Sequence, residues 1–163
     1  MARNFRLWQN AQIVSLLKPA ADAAGRTSAY VSLRNGHKAY VLAYVTQGNA
    51  ATIALSILQA TDNLGTGSKA VGVMPIAVNL DTDTVPADLL TFPTAASSYT
   101  TDAAVKTKLV MFEIDPIESM DINAGFNHIA VQTGASNAAN VTSALLEITP
   151  LRFAQSAPPT ANI

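Results

Sequence analysis

Residues 38–47, KAYVLAYVTQ, decide the fold. Tyr40, Leu42 and Tyr44 fall on one side of an extended chain, and Val41, Ala43 and Val45 on the other. Alternation with a period of two, in aromatic and β-branched residues, marks a strand. Both of its faces carry apolar side chains, so both read as at least partly covered. Just upstream, Asn35-Gly36 is a type I′ turn signal, and residues 27–33 form a short β-branched and aromatic run. These two runs are expected to pair as a hairpin. Downstream, Gly48-Asn49 turns the chain and residues 51–60 make a third strand. There Ile53, Leu55 and Ile57 point one way and Thr52, Ala54 and Ser56 the other.

The same reading extends to the rest of the chain. Residues 61–68 (TDNLGTGS) are a loop of turn formers. Residues 69–80 read as a fourth strand, at an edge or bent at Pro75, because proline cannot donate to a ladder. Residues 81–101 lack a pattern and contain Pro86, Pro93 and Ser97-Ser98, which predicts an excursion over the surface. Leu89, Leu90 and Phe92 are expected to tether it to something apolar. Residues 104–114 form strand five. Asp115-Pro116-Ile117-Glu118 reads as a short helix start, with Asp115 as cap and Pro116 at the first helical position. Residues 126–133 and 141–149 are strands six and seven, joined by the small-residue loop 134–140. Seven short strands with no βαβ alternation predict an all-β fold, an antiparallel β-sandwich of jelly-roll or related Greek-key type. Residues 27–150 would form it. Residues 1–26 read as an irregular or weakly helical N-terminal arm, and residues 151–163, ending in Ala157-Pro158-Pro159, as an extended C-terminal tail.

The composition is poor in chemistry. The chain has no Cys, two His and three Glu, and charged residues make up 13% of its 163 positions. Enzymes concentrate titratable groups where reactions occur, and here there are few to concentrate. Disulfides and Cys-based metal sites are excluded. Ten basic and eleven acidic residues leave a net charge of −1, without the basic stretch that tracks phosphates, so no nucleic-acid partner is expected. No apolar run approaches the roughly 20 residues that cross a bilayer, and no membrane partner is expected. Arg3 and Arg6 before residues 11–17 resemble a signal peptide only faintly, since Lys18 interrupts a short run. A surface with so few charges is expected to face other subunits.

Candidate sites are weak throughout. Asp81, Asp83 and Asp88 form an acidic cluster, but Phe92 stands where a calcium loop needs its bidentate Glu, so a solvated loop is expected. His37 should be exposed and His128 a hydrogen-bonded structural residue. Gly65-Thr66-Gly67-Ser68-Lys69 superficially matches a phosphate loop, yet a strand follows it instead of the required helix. Asn140-Val141-Thr142 fits a glycosylation sequon. No nucleophile elbow occurs. Neither a catalytic residue, a metal nor a cofactor is assigned, and the chain is read as a non-enzyme. The candidate interface residues are Phe5, Leu7 and Trp8 in the arm and Leu89, Leu90 and Phe92 in the excursion.

Residues 30–35 (YVSLRN), 51–69 (ATIALSILQATDNLGTGSK), 110–116 (VMFEIDP), 123–131 (NAGFNHIAV) and 151–159 (LRFAQSAPP) carry a resemblance. In strand-and-loop texture most of the chain from residue 28 onward, with little contribution from residues 81–101, resembles the head decoration, or cement, proteins of tailed bacteriophages. That resemblance implies a β-sandwich on the outer surface of the virion head, commonly a homotrimer, bridging neighbouring subunits of the major capsid protein. It carries over no residue set. Two alternatives remain: the resemblance also allows another virion β-module (head-fibre base, collar or tail protein), and the aromatic residues allow a carbohydrate-binding jelly roll using Tyr30, Tyr40, Tyr44, Tyr99 and Trp8.

Overall fold

The computed structural model describes residues 7–84 and 88–151. It is a sandwich of two antiparallel sheets. A short helix α1 (Leu7–Asn10) leads into β1 (Gln12–Ala21), followed by β2 (Arg26–Thr27), β3 (Val31–Ser32), β4 (Gly36–Gln47), β5 (Ala54–Ala60), β6 (Lys69–Ala70), β7 (Ile76–Asn79), β8 (Ser98–Thr100) and β9 (Thr107–Ile114). The one-turn helix α2 (Pro116–Ser119) precedes β10 (His128–Thr133) and β11 (Asn140–Leu151). One sheet runs β1-β11-β4-β9-β7. The other runs β2-β10-β5-β6, with β3 also on β10 and β8 also on β5. The chain changes sheet at nearly every connection, and β1-β11-β4-β9 over β2-β10-β5-β6 is the strand order of a jelly roll.

Alternation along the strands builds the core. In β4, Ala39, Val41, Ala43 and Val45 are fully enclosed, as are Val110, Phe112 and Ile114 of β9 and Leu146 and Ile148 of β11. Facing them are Leu55 and Ile57 of β5 and Ile129 and Val131 of β10. Each such large side chain contributes about 1.5–3 kcal/mol by leaving water.

Four local expectations need correction. First, residues 12–21 are an edge strand paired with β11 along its length, not part of an irregular or weakly helical arm. Its register slips between Ser15 and Leu17 and again between Leu17 and Ala20, so Leu16 and Leu17 are both buried and the period of two is lost. Second, residues 27–33 do not form a hairpin with β4. They pair with β10 in the other sheet, and Leu33–Gly36 is the corner where the chain crosses over. Neither Asn35 nor Gly36 takes a positive φ, as a type I′ turn needs. Gly36 answers a different demand: a Cβ there would lie 2.1 Å from Ile148 Cγ2. Third, residues 69–80 split into β6 and β7, one in each sheet, with Pro75 at the crossing. Fourth, β11 runs past Thr149 to Leu151, which pairs with Gly36, so the strand enters what was read as tail.

Other expectations hold. Asp115 caps α2 by accepting from the Ile117 backbone N–H at 3.0 Å. The Gly65–Lys69 segment is a turn, with Gly65 and Gly67 at positive φ and Asp62 Oδ1 accepting from the Leu64 and Thr66 backbones.

Buried polar groups close one end of the sandwich. Asp22 accepts from Arg26, from Thr133 of β10 and from Thr142 of β11, and so ties the two sheets together. Asn140 is enclosed and donates to the Ala51 carbonyl and Ser136 Oγ, which leaves the sequon asparagine no route to a glycan. Gln47 donates to Ala51 and Asp102 carbonyls and accepts from Lys108. Hydrogen-bonded in this way, the buried groups avoid the penalty of unpaired burial.

Candidate functional site: the outer face of the five-stranded sheet

The two sheets differ on the sides that face away from the core. On β10 and β5 the outward side pairs exposed, polar Gln132 with Ser56, and the enclosed Ala130 with the half-buried Leu58. On the five-stranded sheet, register aligns larger apolar residues in rows across the strands. Ser15, Leu145, Leu42, Met111 and Ala77 make one row, and Ser143, Tyr44 and Leu109 the next. Tyr44 is 46% exposed and Leu145 49%. A third row, Ile13–Glu147–Tyr40–Glu113, bounds the patch with two carboxylates. Lys38 is ion-paired with Glu113, whereas Glu147 has no ion pair among the described residues. Tyr40 and Tyr44 therefore belong to an outward surface and not to the core.

The excursion after β7 extends this surface. It returns alongside β7, held by backbone bridges of Met74 with Ala96 and Val78 with Thr91. Thr91 exchanges two 2.8 Å hydrogen bonds with Val78 and adds a side-chain bond to the same carbonyl. The tether is thus backbone pairing, not the apolar side chains. Leu89 is 64% exposed and Phe92 76%. Leu90 is half-buried and, with Phe92, Tyr40, Met111, Ile76 and Pro75, walls a half-open groove of about 220 Å³. Leu89 lines a neighbouring recess of about 350 Å³ with Leu80, Asp81 and Lys106. Of the residues singled out in the sequence, Leu90 and Phe92 thus share one groove. Leu7 lies in α1, exposed, at the far edge of the sheet. Phe5 and the Trp8 side chain lie outside the described residues. The outer rows of β4, β9 and β11 were missed; the signal for them was the apolar character of both faces of residues 38–47.

The sheet edges are closed to further strands. Along β1, Lys18 and Pro19 and two register slips blunt the edge. β7 is four residues long and partly covered by Thr91. On the other sheet the outer strands β2, β3, β6 and β8 are two or three residues each. An unpaired, flat edge recruits other chains; β1 is ten residues long but bulged, and the remaining edge strands are short. Among the described residues, faces and loops are what remains to offer a partner.

The titratable groups are scattered. His37 is exposed on β4, beside a recess lined by Arg34, Ile117 and Asn127. His128 bonds to the Thr61 backbone, and burial, aided by nearby Arg34, pushes its imidazole below the ordinary histidine value. Its Nδ1 has no hydrogen-bond partner among the described residues. Asp81 pairs with Lys106 at 2.6 Å, which with Thr84 holds its carboxyl below the usual range. Among the described residues no group of three acidic or imidazole side chains could hold a metal ion.

No protein-family model and no curated protein matches the chain. Among solved structures it is similar to the SPBc2 prophage-derived protein YomS, at 10% identity over 86% of this chain and 94% of that one, with a TM-score of 0.49. It is similar to a putative sugar binding protein from Bacteroides thetaiotaomicron at 11% identity over 77% and 65%, with a TM-score of 0.30. It is also similar to the empty head of turnip yellow mosaic virus, at 8% identity over 96% and 88%, with a TM-score of 0.21.

Proposed function

We propose that this chain is a head decoration protein of a tailed bacteriophage, with a structural and not a catalytic role. In this reading it sits on the outer surface of the virion head as a homotrimer and bridges neighbouring subunits of the major capsid protein. The observation that carries the proposal is the contrast between its surfaces. One sheet face is apolar and continuous with the groove beside Leu90 and Phe92, the other carries fewer large apolar residues, and the edges are blunted. A rigid sandwich of this kind associates through one face and one loop and does not polymerise by strand addition. The resemblance to decoration proteins adds the kind of partner. On a lattice, each further contact becomes effectively intramolecular, so modest individual contacts suffice.

The test is to add the purified protein to expanded heads that lack it and to measure occupancy by sedimentation and imaging. Binding at symmetric sites on the outer head, weakened by Phe92→Asp and Leu89→Asp, is the expected result. Failure of the folded protein to bind heads would remove the capsid reading. Retention on a glycan array instead would favour the carbohydrate-binding alternative.

A further inference from the structure

Where the chain crosses from β3 to β4, a recess of about 370 Å³ opens at the surface. That volume falls within the span of about 300–1,000 Å³ usual for ligand pockets. Leu33, Pro116, Ile117 and Ile122 form its aliphatic wall, and Arg34, His37 and Asn127 its polar side. It shares no residue with the groove beside Leu90 and Phe92. Local hydrogen bonds fix its frame. The Leu33 N–H donates to the Asn127 carbonyl at 2.8 Å, and the Asp115 cap holds the turn of α2 that carries Pro116 and Ile117. Ile117 and Ile122 are nevertheless exposed, so the wall is formed but uncovered.

Two polar groups at this recess have no partner. Arg34 donates through its backbone N–H to Ser32 Oγ, but among the described residues its guanidinium has neither an ion pair nor a hydrogen bond. Asn127 donates from Nδ2 to the Gly125 carbonyl at 3.0 Å, yet its Oδ1 is buried without a hydrogen-bond partner. A buried acceptor left open is a penalty that a donor would remove. Among the described residues no carboxylate lines the recess to oppose an anion.

We propose that this recess binds the C-terminal residue of a partner polypeptide, one that ends in leucine, isoleucine or valine. Such a residue carries on one Cα the three groups that the recess lacks. Its carboxylate takes the Arg34 guanidinium, with the His37 imidazole as a further N–H donor. Its backbone N–H donates to Asn127 Oδ1. Its branched side chain lies against Leu33, Pro116, Ile117 and Ile122. Other ligands match less of this pattern. A nucleotide wants an aromatic face for its base and several cations for its phosphates, whereas the recess has no aromatic residue and one arginine. A simple aliphatic carboxylate satisfies Arg34 and the wall but leaves Asn127 Oδ1 open. The site is separate from the face proposed to meet the capsid, and the inference stands whether or not that reading does.

The test is an NMR titration of the full-length protein with an N-acetylated glycine-serine peptide ending in leucine. Saturable shifts should fall at Arg34, His37, Ile117 and Ile122. Amidating the peptide's C-terminus should weaken binding at least about tenfold, through loss of the charge-assisted contact. Replacing the terminal leucine by glycine should weaken it by a similar factor, about tenfold, through lost apolar burial. Isocaproate, which has the carboxylate and the branched chain but no N–H, should bind more weakly than N-acetyl-leucine. Arg34→Gln should make acid and amide peptides bind equally while the preference for leucine over glycine persists, which a merely unfolded variant would not show. Absence of saturable shifts at the recess, or equal affinity of the parent protein for acid and amide, would overturn the proposal. Equal binding of isocaproate and N-acetyl-leucine would overturn the polypeptide ligand in favour of a simple carboxylate.

Discussion

Lys108 donates from Nζ to Gln47 Oε1 at 2.7 Å, and both side chains are enclosed at the end of the sandwich. The same ammonium donates to the Ala104 carbonyl at 2.6 Å and lies 2.7 Å from Asp102 Oδ1. The loop before β9 thus wraps around one buried cation. Lys108→Met keeps the aliphatic stem but strands Gln47 Oε1 and the carbonyls. Asp102 is half-exposed and can rehydrate, so the full penalty of a broken buried pair is not reached. The expected loss is about 2 kcal/mol, from the unsatisfied acceptors. Urea denaturation checks it: an unchanged midpoint would show that the cage contributes nothing.

Acid should loosen the same corner. The Lys108 hydrogen bond is the main reason that the Asp102 carboxyl is held below the usual carboxylate value in the folded protein. A lowered folded pKa means that the contribution is complete above the unfolded value, near 3.9, and is lost as pH falls through the folded one. Asp62 and Asp81 are shifted in the same direction and add to the trend. Stability measured from pH 6 down to pH 2 should therefore fall, and less steeply in Asp102→Asn than in the parent. Equal slopes would exclude Asp102 as a contributor.

The fold was legible in the sequence where alternation was undisturbed, as in residues 38–47, whose inward set Val41, Ala43 and Val45 is the enclosed one. It was illegible where tertiary structure broke the period. Bulges in β1 bury Leu16 and Leu17 side by side, and Pro19 and Lys18 look like breakers although they are edge protection. Asn35-Gly36 misled for a related reason: the glycine is required by the nearness of Ile148, which is over 100 positions away and leaves no local trace. The candidate face was hidden differently. Leu42, Met111 and Leu145 form a row only through register across three strands, which no single segment encodes. By contrast, Phe92 and Leu90 stood out as apolar residues in an unpatterned loop.

The Gly36 corner offers a test by double-mutant cycle. An added Cβ meets Ile148 Cγ2, while its next neighbours, the Lys38 carbonyl and Ile148 Cβ, lie at 3.4 and 3.5 Å, an ordinary contact range. Gly36→Ala alone should cost about 1–3 kcal/mol through overpacking. Ile148→Ala alone should cost about 2–5 kcal/mol through a cavity. Combined, the two should cost less than their sum, because the second change removes the atom that clashes. Strict additivity in denaturation midpoints would mean that the corner relaxes elsewhere.

Outward residues of the five-stranded sheet should matter for association and not for folding. Leu145 and Tyr44 are half-exposed and sit over a core already sealed by Leu146 and Val45 beneath them. Leu145→Asp or Tyr44→Asp should therefore change unfolding free energy by no more than about 0.5 kcal/mol, as for ordinary surface positions. The same substitutions place a carboxylate in the middle of an apolar row, where a docked partner would have to desolvate it. If this face is the interface, each should weaken binding by at least about 2 kcal/mol, a loss near thirtyfold. Gln132→Asp, on the outer face of the opposite sheet, supplies the control and should leave binding intact. Thermal melts beside occupancy on expanded heads separate the two effects. If Gln132→Asp abolished binding while Leu145→Asp did not, the docking surface would move to the other sheet, and the apolar rows would need another explanation.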